Sequence, residues 1–484
     1  MTEILSGLID VALQPKPGET LTRQLCNALR QAILSGALAP GYRLPSSRSL
    51  ATQLGLSRNT VSAVVDQLAM EGYLLLSRGR RPAVAGTKAG LMRARPASRG
   101  MAAQPRMSQW ARRLSRADWP ILDDGVPRPF QPGLADAREF PHDLWARYLR
   151  RAARGRPASG ASEVNRPALQ AALLRYLVEH RGVRADARQV MILPSAQAAI
   201  ELVARVVLDA GDLAWLESPG YIGARVALEA AGARVCGVAL DGSGLAIDGR
   251  NDQPRLIFVT PSHQYPTGRL MDVARRQQLL GFAAAAGALI IEDDYDSEFH
   301  FDGRPVAALQ GLDAAGRIFY VGTFSKSTCP DIRLGYVVVP PGYVDLFGRA
   351  QRHAGQLGAA PLQDALAAFI EDGHFAAHIR KMSRLYRDRR DHFVRALERA
   401  AGERLRVVPP SGGMQLVAHL RRPTDDVAVV RQLRDAGVTA RALSPLFVGR
   451  TSERGLFLGF AAWNEREIDA GVDMIGEVLR RIAR

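Results

Sequence analysis

One lysine stands in a sequence context that suits covalent chemistry. Lys326 lies in the string GTFSKSTCPDIRLGY, which begins where the apolar stretch RIFYVG ends. It is the only lysine between residues 89 and 380. Only four of the 64 basic residues are lysines, so a lysine at this place indicates that the amine itself is needed, because arginine cannot form a Schiff base. The alternative is an exposed lysine that ends a strand and keeps its head group in water.

The residues around Lys326 are of the kinds that bind a phosphate group. Thr323 and Ser325 supply hydroxyls and Arg333 supplies a guanidinium, all in or beside a loop that follows a predicted strand. A phosphate held beside an amine that burial activates indicates pyridoxal 5'-phosphate, bound to Lys326 as an internal aldimine.

Acidic residues follow a second predicted strand, in the string ALIIEDDYDSEFHF. Pyridoxal phosphate needs a carboxylate that keeps its pyridinium nitrogen protonated, and a nearby tyrosine can donate to the phenolate oxygen O3′. Asp293 and Tyr295 suit these two roles. On the acids alone, a Mg²⁺ site or a solvent-exposed cluster is an equal alternative.

Three further segments could line the same site. Ser195, Ala196 and Gln197 open a predicted helix whose free N–H groups suit phosphate oxygens. Tyr221, in ESPGYIGAR, could stack on an aromatic ring. His263 lies in the loop TPSHQYPTG, whose composition is also that of an ordinary turn.

These segments lie where short apolar strands alternate with helices rich in Ala, Leu and Arg. The alternation predicts an α/β fold with a mainly parallel sheet over residues 131–484, and the last ~85 residues look like a smaller α+β lobe. Ligand-binding loops of such folds lie beyond the carboxyl ends of the strands.

The region before it, residues 17–86, has the pattern of a small helical domain. Leu21, Leu25, Leu29 and Ile33 recur at near-helical spacing, and two shorter helices follow around a turn at Gly55. This is the helix-turn-helix pattern, and the string YLLLSRGRRPAVAG after it predicts two short strands that form a wing. A three-helix bundle with an ordinary charged surface is the alternative.

The side chains that would face DNA follow from this arrangement. Ser57 is placed to cap the third helix, whose first turn presents Arg58, Asn59 and Thr60 to phosphates and base edges. Arg78, Arg80 and Arg81 lie at the predicted tip of the wing.

Charge and composition agree with a nucleic-acid partner. The net charge is +16, and residues 87–117 hold eight basic and no acidic side chains within a predicted linker over residues 87–130. Three cysteines without a C-x-x-C spacing predict neither disulfides nor a metal site. The absence of a signal-peptide pattern and of a long apolar run predicts a soluble, cytoplasmic protein.

Longer strings carry a family resemblance. RLPSSRSLATQLGLSRNTVSAVVDQLAMEGYL resembles the GntR-type DNA-binding domain almost position by position. By this resemblance the DNA contacts are expected from Arg43, Ser46, Arg48 and the start of the third helix. The wing departs from the usual Gly-Ser-Gly-Thr-like turn and reads GRRPAV instead, which adds positive charge.

The remainder resembles the fold-type I aminotransferases, and the chain as a whole is similar to the MocR/GabR family of transcription factors. The strings are REFPHDLW, ESPGY, PSHQYPTG, EDDYDSEF, GTFSK, RLGY, GHFAAHIRKM and LGFA. The resemblance implies a dimeric DNA-binding regulator whose aminotransferase-like domain holds pyridoxal phosphate as a sensor. It gives the residues named above the same roles around the cofactor.

Three positions depart from the family pattern. Tyr265 stands where aminotransferases commonly carry Asn, and Gly223 where the GABA-responsive member carries an effector-binding Arg. Phe457 occupies the slot of the Arg that grips the substrate carboxylate, so Arg454 or Arg441 would have to substitute.

The sequence therefore favours a regulator that senses pyridoxal phosphate or an amino compound and changes its operator binding, and not an enzyme. A working aminotransferase with an appended DNA-binding module is the main alternative, and a cofactor-free scaffold used for dimerisation is a weaker one.

Overall fold

The computed structural model describes seven stretches of the chain. They are residues 20–77, 79–86, 107–115, 128–155, 164–302, 306–422 and 424–482. The chain divides into two units, Met1–Arg106 and Met107–Arg484. Among the described residues, no helix combines the length and the apolar character needed to cross a membrane.

The first unit is a winged helix-turn-helix. Its elements are α1 (Leu21–Leu34), α2 (Ser47–Leu54), α3 (Arg58–Met70), β1 (Leu74–Leu75) and β2 (Ala83–Val84). The two strands pair in antiparallel fashion and form the wing. The architecture predicted from the sequence is confirmed here.

Local signals explain where these helices start and stop. The hydroxyl oxygens of Ser46 and Ser57 accept backbone N–H groups of the first turns of α2 and α3, each at 3.1 Å. Gly55 ends α2 with a φ of +65°, a left-handed conformation that glycine adopts without steric cost.

A small apolar core holds the three helices together. One face of α3 is buried against α1 and the wing, where it contributes Val61, Val64, Val65 and Leu68. On α1 the predicted apolar series is buried except for its first member, Leu21, which is 48% exposed. The exposed surface of α3 is left for contacts with a partner.

The second unit contains eleven helices among its described residues. They are α4 (Gln109–Leu114), α5 (His142–Ala153), α6 (Pro167–Arg181), α7 (Ala196–Val207), α8 (Ile222–Ala230), α9 (Val273–Ala286), α10 (Val344–His353), α11 (Ala360–Glu371), α12 (His374–Ala401), α13 (Asp426–Asp435) and α14 (Glu465–Ile482).

A seven-stranded sheet forms the larger lobe of this unit. Its strands are β3 (Val190–Leu193), β4 (Leu213–Ser218), β5 (Arg234–Ala239), β6 (Leu256–Val259), β7 (Leu289–Asp294), β8 (Ile318–Thr323) and β9 (Gly335–Val338), in the spatial order β3-β9-β8-β7-β6-β4-β5. Only β9 runs antiparallel to its neighbours, so the sheet is mainly parallel as predicted. β7 and β8 are buried along their whole length, as is typical of a sheet with helices on both faces.

A four-stranded antiparallel sheet forms the smaller lobe. Its strands are β10 (Leu405–Val407), β11 (Gln415–Leu420), β12 (Arg441–Ala442) and β13 (Gly455–Gly459), in the order β10-β11-β13-β12. The predicted α/β fold with a smaller α+β lobe is therefore confirmed.

Candidate cofactor site and nucleic-acid interface

A cavity of about 290 Å³ lies where the carboxyl ends of β3, β7 and β8 meet strands of the smaller lobe. Its walls consist of Pro132, Gly133, Ser195, Ala196, Gln197, Tyr221, Ile222, Tyr265, Asp293, Tyr295, Thr323, Lys326, Gln415 and Arg441. Eight of the residues predicted to bind the cofactor are among them. The ends of parallel strands bring these residues together from distant positions in the sequence.

Lys326 is enclosed rather than exposed. Its ammonium group donates a hydrogen bond to the carbonyl oxygen of Gly133. Burial, and to a lesser degree the positive charge of Arg441, lower the pKa of the amine to about 8, while Asp296 and Asp293 act in the opposite direction. The alternative of a solvent-facing lysine at a strand end is therefore wrong.

Gly133 lies so close to Lys326 that a side chain at this position would push the amine aside. A Cβ atom there would lie 2.9 Å from Nζ, and the φ angle of +79° is one that other residues rarely adopt. No local pattern in the sequence assigns this glycine a role.

Asp293 offers an unpartnered carboxylate oxygen to the cavity. Its Oδ1 atom is buried and has no hydrogen-bond partner among the described residues. Burial and the neighbouring charges of Asp294 and Asp296 raise its pKa to about 8. A buried acceptor without a donor is costly, and a ligand that brings an N–H group would remove that cost.

Asp294, the next residue, points into a separate polar network. Its Oδ2 atom accepts Arg181 Nε at 2.9 Å and the hydroxyl of Tyr320, and Arg181 also donates to Ser262 Oγ at 2.7 Å. Burial pushes the pKa of Asp294 up, but Arg181 and the hydrogen bonds outweigh it and hold the pKa below the ordinary value. The side chain is thus a structural anchor for the end of β7.

Asp296 contacts a different side chain, that of His263. Its Oδ1 atom lies 2.9 Å from Nδ1 of His263, and both side chains are buried. The acids of this segment therefore diverge towards different partners, and no group of three metal-ligating side chains forms among the described residues.

The start of α7 forms the opposite wall. Ser195 caps the helix through a bond from Ala198 N–H to its hydroxyl at 3.1 Å. Gln197 is held by two bonds, because its amide donates to the Gly223 carbonyl oxygen at 3.0 Å and accepts from the Tyr221 hydroxyl at 3.1 Å. The first turn of this 12-residue helix thus presents backbone N–H groups at the cavity, as phosphate binding requires.

Three of the predicted cofactor residues are not in the cavity wall. His263 lies behind it with Asp296, the Ser325 hydroxyl donates to the Ile332 carbonyl oxygen at 3.4 Å, and Arg333 is exposed. Their roles in cofactor binding remain predictions.

Reasoning from sequence overlooked several wall residues. Gln415, from β11, contacts the hydroxyl of Tyr295, and Pro132 and Ile222 complete the apolar part of the wall. No local pattern marks these residues, because they reach the cavity through the packing of the smaller lobe and of the segment before α5.

The candidate nucleic-acid surface lies on the first unit. Arg43, Ser46, Arg48, Ser57, Arg58, Asn59 and Arg80 are exposed, and Thr60 is half-buried. Arg80 lies in the turn between β1 and β2, at the tip of the wing. The eight residues belong to α2, α3, their flanking segments and the wing, which are the elements that a winged helix uses on DNA. Arg78 lies outside the described residues.

Comparison with known proteins covers both units. Residues 21–84 match the model of bacterial regulatory proteins of the gntR family, and residues 135–475 match that of aminotransferase class I and II. The chain is 39% identical to the probable rhizopine catabolism regulatory protein MocR of Rhizobium meliloti, over 94% of this chain and 92% of the relative. It is 31% identical to the pyridoxine biosynthesis transcriptional regulator PdxR of Corynebacterium glutamicum, over 94% and 95%.

The chain belongs to the MocR/GabR family of transcription regulators.

Solved structures resemble the second unit. LysN, an α-aminoadipate aminotransferase from Thermus thermophilus complexed with N-(5'-phosphopyridoxyl)-L-leucine, is 25% identical and superposes with a TM-score of 0.71. The match covers 78% of this chain and 98% of LysN. The MocR/GabR chain is thus longer than the aminotransferase by about the size of its DNA-binding head.

The structure explains one departure from the MocR/GabR pattern. Gly223 packs so tightly that a Cβ atom would lie 2.4 Å from Gln197 Oε1 and 2.5 Å from the Tyr221 ring. An arginine here would displace both side chains.

We expect the reactivity of Lys326 to follow its lowered pKa. In the protein without cofactor, brief acetylation by acetic anhydride over a pH series should reach half its maximal rate near pH 8, because the neutral amine is the reactive form. Mass spectrometry of the Lys326 peptide provides the rate, with Lys381 as the internal reference. Half-maximal reactivity near 10.5, the ordinary lysine value, would contradict the buried environment.

We expect Arg181→Met to destabilise the second unit by about 3–5 kcal/mol at neutral pH, since it leaves the buried Asp294 carboxylate without its counter-charge. Because the pKa of Asp294 is lower in the folded than in the unfolded protein, this carboxylate stabilises the fold at pH values above its unfolded pKa and loses that contribution as the pH falls. The stability penalty of Arg181→Met should therefore be smaller in acid. Chemical unfolding at two pH values measures this.

Arg175→Met is the matched control, because this arginine lies on the same helix and pairs with Glu371 at the surface, where the two side chains are 64% and 46% exposed. It should cost less than about 1 kcal/mol. Equal losses of stability in the two variants would show that the buried Arg181–Asp294 pair contributes no more than a surface ion pair.

Proposed function

We propose that this regulator binds pyridoxal phosphate covalently through Lys326 and changes its affinity for operator DNA in response to that cofactor or to an amino compound that reacts with it. The observation that carries the proposal is the unpartnered, buried Asp293 carboxylate in the same cavity as an enclosed lysine of lowered pKa. Residues 17–86 would bind DNA, residues 87–130 would link the two parts, and residues 131–484 would hold the cofactor.

When bound, pyridoxal phosphate supplies an aldehyde that condenses with a primary amine and a ring that accepts electrons. Lys326 provides the amine. Asp293 would hold a proton at the ring nitrogen, and because its pKa is raised it could share that proton without leaving a bare charge in the cavity. Tyr295 would donate to the ring oxygen, and Tyr221 would cover the ring.

The phosphate would lie against the first turn of α7. Ser195, Ala196 and Gln197 offer backbone N–H groups at a helix N-terminus, and Thr323 adds a hydroxyl from the end of β8. Ser325 and Arg333 follow in the adjacent loop and would complete the clamp if that loop closes over the anion.

The regulator function is preferred to catalysis because the position that binds the substrate carboxylate in aminotransferases is filled by Phe457, which is fully buried. Its relatives MocR and PdxR are named as regulators. We further expect a homodimer, as the family resemblance implies. Steady turnover of an amino-acid and keto-acid pair at ~1 s⁻¹ or faster would favour the enzyme instead.

We expect the purified protein to take up pyridoxal phosphate with an absorbance band at the edge of the visible range. Lys326→Ala should abolish the band, because no other described lysine lines the cavity. Asp293→Asn should weaken cofactor binding and shift the band, because the amide cannot keep the ring nitrogen protonated. A band that survives in Lys326→Ala would contradict the proposed attachment.

We expect footprinting on the region upstream of the regulator's own gene to show specific protection. Arg58→Ala should weaken binding about 10-fold and, if the contact is to a phosphate, reduce the salt dependence by about one counterion. Arg23→Ala, on the exposed surface of α1 outside the predicted contact set, is the control and should bind normally. Only nonspecific, salt-sensitive binding in the wild type would refute the regulator function.

A further inference from the structure

A cleft rich in arginine lies between the two lobes of the second unit, apart from the cofactor cavity. It consists of two depressions of about 920 and 680 Å³, which share Arg269, Arg406, His419, Ser452 and Glu453 as wall residues. Arg269 belongs to the loop after β6 in the larger lobe, and Arg406 to β10 in the smaller lobe. None of the wall residues also lines the cofactor cavity. We call this feature the arginine cleft.

The wall of the arginine cleft carries a strong excess of positive charge. Its arginines are Arg269, Arg406, Arg421, Arg422, Arg450 and Arg454, and Glu453 is the one acid among the described wall residues. Arg421 donates to the Gly402 carbonyl oxygen at 2.9 Å and Arg454 to that of Thr451 at 2.8 Å. The guanidinium groups of the other four have no hydrogen-bond or ion-pair partner among the described residues. Their donors are therefore free for a ligand.

The charges from the two lobes act on one point of the cleft, the imidazole of His419. Burial, and then the positive charge of Arg406, lower the pKa of His419 below its ordinary value, and Arg269 acts in the same direction. The Glu453 carboxylate, 3.9 Å from Nδ1 of His419, acts in the opposite direction but does not outweigh them. A concave surface lined by charges of one sign concentrates ions of the other sign, so the arginine cleft attracts anions.

The larger of the two depressions also has an apolar side. Its wall includes Val408, which is 56% exposed, together with Pro409 and Val448. Its volume lies in the range of about 300–1,000 Å³ that is usual for small-molecule pockets, which often form between lobes. The backbone of a DNA duplex presents charge but no apolar group to such a wall. A small molecule with an anionic group and a carbon skeleton matches both parts of the lining.

A layer of apolar side chains separates the arginine cleft from the cofactor cavity. Gln415, Val417 and His419 share one face of β11, because alternate residues of a strand point the same way. Gln415 lines the cofactor cavity and His419 the arginine cleft. Between them, Val417 packs in a cluster with Tyr265 and Phe457. The cleft is therefore a second site and not an extension of the first.

We propose that the arginine cleft binds a small organic phosphate, whose phosphate group is held by Arg269 and Arg406 and whose carbon skeleton lies against the apolar side. A phosphate monoester carries about −1.5 to −2 charge at neutral pH and three acceptor oxygens, which suit planar guanidinium donors from two lobes. A monocarboxylate offers one charge and two acceptor atoms, so it uses fewer of these donors. The site does not involve Lys326 and does not rest on the proposed function.

The test uses phenyl phosphate as the probe, because it joins a phosphate group to an apolar ring. The full-length protein is loaded with pyridoxal phosphate, freed of the excess, and titrated by calorimetry. Phenyl phosphate should bind about 10-fold more tightly than inorganic phosphate, because its ring covers apolar surface. Benzyl alcohol, which lacks the phosphate group, should not bind measurably.

Arg406→Gln and Arg269→Gln should each weaken the binding of phenyl phosphate about 10-fold, because each removes the charge-assisted bonds from one lobe. Arg395→Gln is the matched control, since this exposed arginine lies on α12 outside the cleft and its loss changes the net charge equally. It should bind as wild type does. Arg406→Lys keeps the charge and should lose less affinity than Arg406→Gln. All three arginines are exposed, so none of these substitutions should unfold the protein.

The inference is overturned if wild type does not bind phenyl phosphate, or if Arg406→Gln and Arg269→Gln bind it as wild type does. Duplex DNA without an operator is titrated in parallel. Weaker DNA binding by these two variants, with no binding of phenyl phosphate to wild type, would make the cleft a contact for DNA phosphates and would also overturn the inference. The effect of Arg406→Gln should persist in a Lys326→Ala background, so this result is independent of the cofactor proposal.

Discussion

The second unit is organised around two enclosed ionisable groups that a bound ligand would stabilise. Lys326 and Asp293 face one cavity, and the carboxylate oxygen of Asp293 has no donor among the described residues. Burial makes the charged form of each group less favourable, which is why the pKa of the lysine falls and that of the aspartate rises. A ligand that reacts with the amine and brings a protonated ring nitrogen to the carboxylate relieves both costs, and pyridoxal phosphate is such a ligand.

The surroundings keep this pair available. Arg181 forms an ion pair with Asp294 on the other side of β7, and His263 contacts the carboxylate of Asp296. Asp293 is therefore the acid of this segment that faces the cavity. On the opposite side, the carbonyl oxygen of Gly133 holds the lysine. Gly133 is close in sequence to Phe130, which is fully buried against Phe393, so this segment is anchored in the core next to the residue that contacts the lysine.

The fold and half of the site could be predicted from the sequence because the signals are local. A strand followed by Asp293, a strand followed by Thr323 and a helix opened by Ser195 are each contained within about ten residues, and the rule that strand ends meet brings them together. The winged helix was equally predictable, since its caps and turn glycines are local too.

The rest of the site depends on long-range packing. Gly133 lies 193 residues from Lys326, so no local pattern in the sequence connects the lysine with its partner. β12 has just two residues, so the sequence shows no periodic pattern from which the register between Arg441 and Phe457 could be predicted. The same limit explains why Arg333 could be matched to the family motif while its exposed position could not be foreseen.

The central claim is that the state of Lys326 is coupled to DNA binding. The most direct measurement is the operator affinity of the full chain with and without saturating pyridoxal phosphate, compared between wild type and Lys326→Ala. The account predicts that the cofactor changes the wild-type affinity by about 5- to 150-fold and leaves the variant unchanged. An equal response in both proteins, or an unchanged affinity in the wild type, would contradict it.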